Sequence, residues 1–250
     1  MINPVQDLAQ SAVQFSRHQR DQFYLIKLLL VTFGLFVGAL LLNHEASAQI
    51  QIVDENTELP DYKAYETGLD AAYAGDYVTA LREFTIAADA GLHLAQYNLG
   101  VMYYTGEGVA QDYGLAFKWT RMAAGQGDIN AQFNLGTLYY NGLGMRSSLF
   151  TRWPLSLIYQ RSNFEEALKW YGYAAEYDHG ESQYYLATMY EKGEGVAQDL
   201  IRAYVWARLA YDNEVPDATL LYNSLNHKLT AEQRDEADRA YAQWVLEFRG

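Results

Sequence analysis

AQYNLGVMYYTGEGVAQD, running from Ala95 to Asp112, returns 36 residues later as AQFNLGTLYYNGLGM from Ala131, and again as SQYYLATMYEKGEGVAQD from Ser182. The string GEGVAQD stands twice, at Gly106–Asp112 and at Gly193–Asp199. A second block follows each copy in phase: Leu115-Ala116-Phe117-Lys118-Trp119, then Ala167-Leu168-Lys169-Trp170, then Ala203-Tyr204-Val205-Trp206. Trp119 and Trp170 are 51 residues apart, Trp170 and Trp206 only 36, so the middle unit carries 15 additional residues, which fall between Met145 and Asn163. Upstream, Tyr77, Ala80, Ala87-Ala88 and Gly91 precede Tyr113, Ala116, Ala123-Ala124 and Gly127 by the same 36. A fixed period of this length is the mark of a stacked repeat, in which each unit is one supersecondary element.

Each unit reads as a helix, a glycine turn and a second helix. Ala95, Leu99, Met102 and Tyr103 share one face at helical spacing. Gly100 costs about 1 kcal/mol of helix propensity relative to alanine, a cost that makes sense where a second helix comes close. Gly106 and Gly108 supply the turn, and Asp112 stands where a side chain accepts from the free amides that open the next helix. Ala116, Trp119 and Ala123 form the inward stripe of that second helix. In the middle unit Asn163 takes the place of Asp112, and Glu166 three residues on completes the pattern of a capping box. In-phase positions define the structural skeleton: Leu99, Gly100, Tyr103, Gly106, Gly108 and Trp119; then Leu135, Gly136, Tyr139 and Trp170; then Leu186, Tyr190, Gly193, Gly195 and Trp206. A lone helical hairpin cannot cover its own apolar face, so stacking is compulsory and the ends need caps. The first unit, which lacks the glycine loop, and the segment after Pro216 fill that role. Thr230-Ala231-Glu232-Gln233 is a capping box, with Ala237, Tyr241, Trp244 and Phe248 as the apolar face behind it.

The pattern resembles the Sel-one-like repeat family, the slightly longer relative of the tetratricopeptide repeat, over roughly residues 64–213. The resemblance implies an all-α fold, a right-handed solenoid of antiparallel helix pairs, acting as a scaffold for protein–protein contacts. It also implies roles in envelope regulation, polysaccharide export or host contact for exported bacterial members. Some cysteine-rich secreted members are linked to penicillin binding; this chain has no cysteine, so that link is not carried over. The expected organisation is residues 1–48 as a signal peptide or signal anchor, 49–61 as an acidic linker, 62–213 as about four repeats with the insertion at 146–162, and 214–250 as C-terminal capping helices.

The leader supports export. LLLVTFGLFVGALLL, from Leu28 to Leu42, is uncharged, with Arg17, Arg20 and Lys27 before it and Glu45, Asp54, Glu55, Glu58 and Asp61 after it. A basic flank stays inside and the remainder is exported. Ala46-Ser47-Ala48 fits a signal peptidase, so cleavage after Ala48 is one expectation; a retained single-pass anchor over about residues 24–42 is the other, although a span ordinarily takes about 20 apolar residues. The polar stretch ahead of the leader is long for a signal peptide, which a translation start at Leu25 would explain. Either way the repeats are expected on the periplasmic side of a bacterial inner membrane.

Composition excludes several chemistries. Eighteen basic against 31 acidic residues leave a charge of −13, which repels phosphate backbones and excludes nucleic acid as a natural partner. The absence of cysteine removes disulfides, thiolate metal sites and thiol nucleophiles. The GxG loops lack the third glycine, the preceding strand and the following lysine of a phosphate loop, and they recur with the structural period. His93, His179 and His227 stand without a His-x-x-x-His spacing or a neighbouring carboxylate cluster, and the first two are expected in solvated loops. Glu165-Glu166 and Asp235-Glu236 are adjacent pairs that diverge around a helix. No catalytic residue, metal site or cofactor is expected, and the chain reads as a non-enzyme.

What remains is surface. Counted from each Leu-Gly pair, the concave side of the superhelix should carry Tyr97, Val101 and Tyr104, then Phe133, Thr137 and Tyr140, then Tyr184, Thr188 and Glu191. Aromatic residues bury a large area at small rotamer cost and are favoured in recognition. These positions are therefore expected to hold a peptide or helix of a partner protein; the competing reading is that they pack between neighbouring units. A glycan is the alternative partner, since aromatic rings also stack on sugars. The insertion RSSLFTRWPLSLIYQRS carries Arg146, Arg152 and Arg161 with no acid, and Phe150, Trp153 and Tyr159 as bulk. It reads either as a neutral lengthening of a turn or as a contact loop for an acidic partner, an anionic lipid surface or another subunit.

Overall fold

The computed structural model describes residues 60–144 and 155–249, with side chains for 61–144 and 163–249. Among the described residues there are ten helices and no strand: α1 Pro60–Tyr73, α2 Tyr77–Asp89, α3 His93–Thr105, α4 Tyr113–Gly125, α5 Ile129–Tyr140, α6 Leu155–Glu176, α7 Gly180–Lys192, α8 Leu200–Asp212, α9 Ala218–Lys228 and α10 Ala231–Phe248. They pair as α1–α2, α3–α4, α5–α6 and α7–α8, each pair leaning on the next through α2–α3, α4–α5 and α6–α7. The described residues thus form an α-solenoid with four successive helix pairs. No described helix is long and apolar enough to cross a membrane. The leader, the linker up to residue 59, and Arg146, Phe150, Arg152 and Trp153 lie outside the described residues, as do the side chains of Tyr159 and Arg161.

Local chemistry explains where helices start and stop. The Asp112 carboxylate accepts from the amides of Gly114 and Leu115 at 2.8 and 3.0 Å, and Asp199 accepts from Arg202 at 2.9 Å. Within GEGVAQD the glutamine ties the turn back to the helix before it: Gln111 Nε2 donates to the Tyr104 carbonyl and Gln198 Nε2 to that of Glu191, both at 2.7 Å. Ala95, Leu99, Ala116, Trp119 and Ala123 are all buried, as a close-packed hairpin requires. The helices of a unit touch where the first carries its small residue. A Cβ at Gly68 would meet the Phe84 ring, at Gly100 the Thr120 side chain, and at Gly136 the Tyr171 ring; in the fourth unit Ala187 and Ala207 lie in one buried cluster.

The helices at the two ends of the described residues differ from those between them. Where α3 presents Leu94, Asn98 and Met102 to the unit before it, α1 has Tyr62, Glu66 and Asp70 at the corresponding positions, a more polar set. At the other end α9 occupies the register of a fifth first helix and packs on α8, while α10 also lies against α8. Thr230 and Gln233 open α10 with a reciprocal capping box. A ladder of polar contacts then holds it: Arg208 to Asp238 at 2.5 Å, Tyr241 to Asp212 at 2.5 Å, and Arg249 to Asp178 at 2.6 and 2.8 Å.

Two sequence expectations are corrected here. The insertion does not simply lengthen a turn: α6 has 22 residues where α4 and α8 have 13, so its last part extends a helix. In consequence Asn163 lies inside α6, buried, rather than capping it, and Glu166 faces Lys169 at 3.9 Å instead of completing a box. Nor are His93 and His179 solvated loop residues. His93 Nδ1 lies 3.1 Å from the buried Asp128 carboxylate, which itself caps α5. The His179 ring caps α7, its Nδ1 accepting from the Ser182 amide at 3.2 Å; burial holds its pKa below the ordinary value, against an opposing pull from Glu181, which keeps that nitrogen free to accept.

The third unit also lacks a fastening that its neighbours possess. Gln126, just past α4, donates to the Gln96 side-chain oxygen at 2.8 Å and to the Gly91 carbonyl at 3.1 Å; Asn213, just past α8, bonds Gln183 and Asp178 in the same way. The corresponding residue after α6 is Tyr177, 69% exposed, and the oxygen of the equivalent buried glutamine, Gln132 Oε1, has no partner. An unpaired buried acceptor costs about 1–3 kcal/mol. Tyr177→Gln is therefore expected to stabilise the protein by about 1 kcal/mol, read as a rise in the midpoint of urea unfolding with an unchanged slope. The same substitution without gain would mean that the glutamine finds another rotamer.

Candidate interaction surface

The nine positions expected to line the concave side lie on α3, α5 and α7, and the structure divides them. Those nearest the helix N-termini of α3 and α5 belong to the seams between units. Tyr97 is 7% exposed, packed with Ala123, Ala124, Ala131 and Leu135, and burial raises its pKa well above the normal tyrosine range. Phe133 is half-buried between Tyr171, His179 and Tyr185, at ring distances of 5.8, 4.9 and 5.9 Å. Val101 packs on the Tyr97 cluster. Thr137 Oγ1 lies 3.1 Å from the Tyr171 hydroxyl and Thr188 Oγ1 donates to the Tyr185 carbonyl at 2.8 Å. Glu191 is engaged by Lys228 of α9 at 2.7 Å. Tyr97 is sealed in a seam, whereas Phe133 and Thr137 pack on their neighbours and stay half-buried.

Tyr104 and Tyr140, near the ends of α3 and α5, and Tyr184 on α7 keep part of their surface exposed. Tyr104 is 38% exposed, its ring edge-on to Tyr113 at 5.6 Å. Tyr140 is half-buried, 5.2 Å from Phe164 and 6.1 Å from Tyr185, and its hydroxyl donates to Glu194 Oε2 at 2.9 Å. Burial first, and then the Glu194 carboxylate, push the Tyr140 hydroxyl up to about 12. Tyr184 stands edge-on to Tyr185 at 5.7 Å; its pKa is raised by burial and then by the negative charge of Asp217. Tyr185 is stacked on the buried Tyr171, 5.0 Å away with the planes 11° apart, so the exposed rings rest on a fixed floor.

Four contributors to this surface were absent from the sequence expectation: Tyr113, Tyr185, Glu194 and Asp217. Tyr185 had a visible signal, since it stands where Asn98 and Asn134 do, making Tyr-Tyr where the other units read Tyr-Asn and Phe-Asn. Asp217 belongs to the start of α9 and offered none. Among the described residues no three histidine or carboxylate side chains converge as a metal site. The surface is aromatic with an acidic rim.

The Sel1 repeat family model matches residues 93–128, 129–148, 157–179 and 180–215. The two middle matches are the two helices of the third unit, parted by its insertion; the α1–α2 pair lies outside them. The chain is similar to the crystal structure of a Sel1 repeat protein from Oxalobacter formigenes, with 26% identity and a TM-score of 0.55, over 65% of this chain and 62% of that one. It is also similar to c5321, a protective antigen of uropathogenic Escherichia coli strains with an SLR fold, at 25% identity and a TM-score of 0.47, over 75% of this chain and 46% of that one. The chain thus spans less than two thirds of each of these structures. No curated protein matches it.

Proposed function

The chain being a Sel1 repeat protein, of a kind that serves as a protein-interaction scaffold, we propose that it is an exported, non-enzymatic adaptor of the bacterial cell envelope. In this reading it holds a peptide or helix of a partner protein against the open tyrosines of its first helices, in the service of envelope regulation or polysaccharide export. The observation that carries it is the partial exposure of Tyr104, Tyr140 and Tyr184. These rings are fixed from below by packed neighbours yet keep part of their surface in solvent, the pre-organised anchor that recognition rewards. The basic flank, apolar run and Ala46-Ser47-Ala48 of the leader support export.

In spheroplasts of cells expressing the full chain, a photo-reactive phenylalanine at position 104 is expected to give a discrete protein adduct. The same residue at Ile86, which is 51% exposed on α2, is expected to give none, and external protease should digest the repeats. Equal adducts from both positions would remove the surface from consideration. Polysaccharide recovered in place of protein would favour a glycan as the occupant, and protection from protease would overturn export.

A further inference from the structure

Three times on its own surface this protein assembles one and the same triad: an arginine held by an aspartate and laid against an aromatic ring. Arg208 bonds Asp238 at 2.5 Å and lies 3.8 Å from the centre of Tyr241. Arg202 is 3.4 Å from Asp199 and 5.6 Å from the Tyr190 ring. Arg249 forks onto Asp178 and lies 5.7 Å from Trp244. The physics is common to all three: a weakly hydrated planar cation gains from the ring's quadrupole on one side and from a carboxylate at its edge.

On the open surface the ring and the carboxylate recur, and among the described residues no cation joins them. Tyr140, Tyr184 and Tyr185 form one ring cluster. Among the described residues Glu194 accepts from the Tyr140 hydroxyl alone, and Asp217, exposed at the start of α9, makes no capping bond with its side chain. Its charge is felt by Tyr184, as is that of Glu191. Lys228 is committed to Glu191; among the described residues no cation pairs with Glu194 or Asp217, and none lies over these three rings. We propose that the Tyr140–Tyr184–Tyr185 surface takes an arginine side chain of a partner protein, its guanidinium stacked on a tyrosine face and its edge held by Glu194 or Asp217. The arginine deepens the adaptor reading and rests on it: the same surface, with the partner's anchoring residue named.

Fluorescein-labelled five-residue peptides of arginine, glutamine and glutamate, titrated into the full chain and followed by anisotropy, test this. The arginine peptide is expected to bind at least about tenfold tighter than the glutamine peptide, the range of one desolvated cation–aromatic contact. Because a chain of charge −13 attracts any cation, the decisive comparison is between variants. Glu194→Gln with Asp217→Asn, and separately Tyr184→Ala, should each abolish most of the preference, whereas Asp70→Asn with Asp89→Asn, which removes the same charge from the first unit, should leave it. Melting temperatures confirm that each variant is folded. Equal loss in both double variants, or no preference for arginine, overturns the proposal. So does a many-fold gain in affinity on deleting residues 147–161, which would make the chain's own arginines the occupant. The photo-adduct at position 104 reads the adaptor function independently: an adduct without arginine preference leaves the adaptor and removes only the anchor.

Discussion

Gly195→Ala is expected to lower the thermal midpoint by about 10 °C, the equivalent of about 3 kcal/mol in a domain of this size. Two costs add. Gly195 has φ +73°, where an ordinary side chain loses about 1–2 kcal/mol. A Cβ there would also lie 2.5 Å from the Phe164 carbonyl carbon and 2.6 Å from its oxygen, and backbone cannot swing aside as a side-chain tip can, which adds about 1–3 kcal/mol. The contact is part of the repeat. Gly108 meets Tyr77 and Gly144 meets Tyr113 in the same way, so the second glycine of each loop seats that loop on the second helix of the unit before. Gly127→Ala separates the two costs: φ is +90° but nothing lies within 4 Å, and a loss of only about 1 kcal/mol is expected. If the two variants melted together, the loop's seat on Phe164 would contribute nothing to the stacking of units three and four.

The period made the architecture legible, because helix faces, caps and loop glycines all recur with it. Asp112 and Asp199 cap their helices for reasons visible in the chain, and Gly100 and Gly136 stand where helices touch. What escaped was whatever breaks the period or joins distant units. Asn163 matches Asp112 in register, but the helix runs through it because the insertion adds turns upstream, and nothing in a single residue announces that. Tyr177 is unremarkable until the neighbouring units show a fastening at that place. The acidic rim on the open tyrosines joins a loop after α7 to the start of α9, so only the folded chain puts Glu194 and Asp217 beside Tyr140 and Tyr184. The nine positions picked out by the spacing all fall on the first helices of their units, α3, α5 and α7; the spacing could not tell seam from surface, because both draw on residues at i, i+4 and i+7.

The second large effect concerns the floor beneath that surface. Tyr171→Ala is expected to cost about 4 kcal/mol, since a fully buried aromatic side chain is removed and a cavity left. Its consequence for function is direct: the ring stacks under Tyr185 and its hydroxyl meets Thr137, so the open tyrosines should lose their fixed orientation and partner binding should weaken even at temperatures where the variant is folded. The origin of the fit can be tested at Gly136, where an added Cβ would come within 2.7 Å of the Tyr171 ring. Gly136→Ala alone is expected to destabilise, the crowding outweighing about 1 kcal/mol gained in helix propensity. In the Tyr171→Ala background the same change should stabilise by about 1 kcal/mol, because the obstacle is gone and only the propensity remains. The double variant recreates the fourth unit, where Ala187 and Ala207 are buried together. A reversal of sign, measured as a coupling of about 2–3 kcal/mol in a double-mutant cycle, would establish that each unit trades size between its two helices: large against glycine in the first and third, small against small in the fourth. An effect of Gly136→Ala that is the same in both backgrounds would show that the glycine serves something other than the approach of α6.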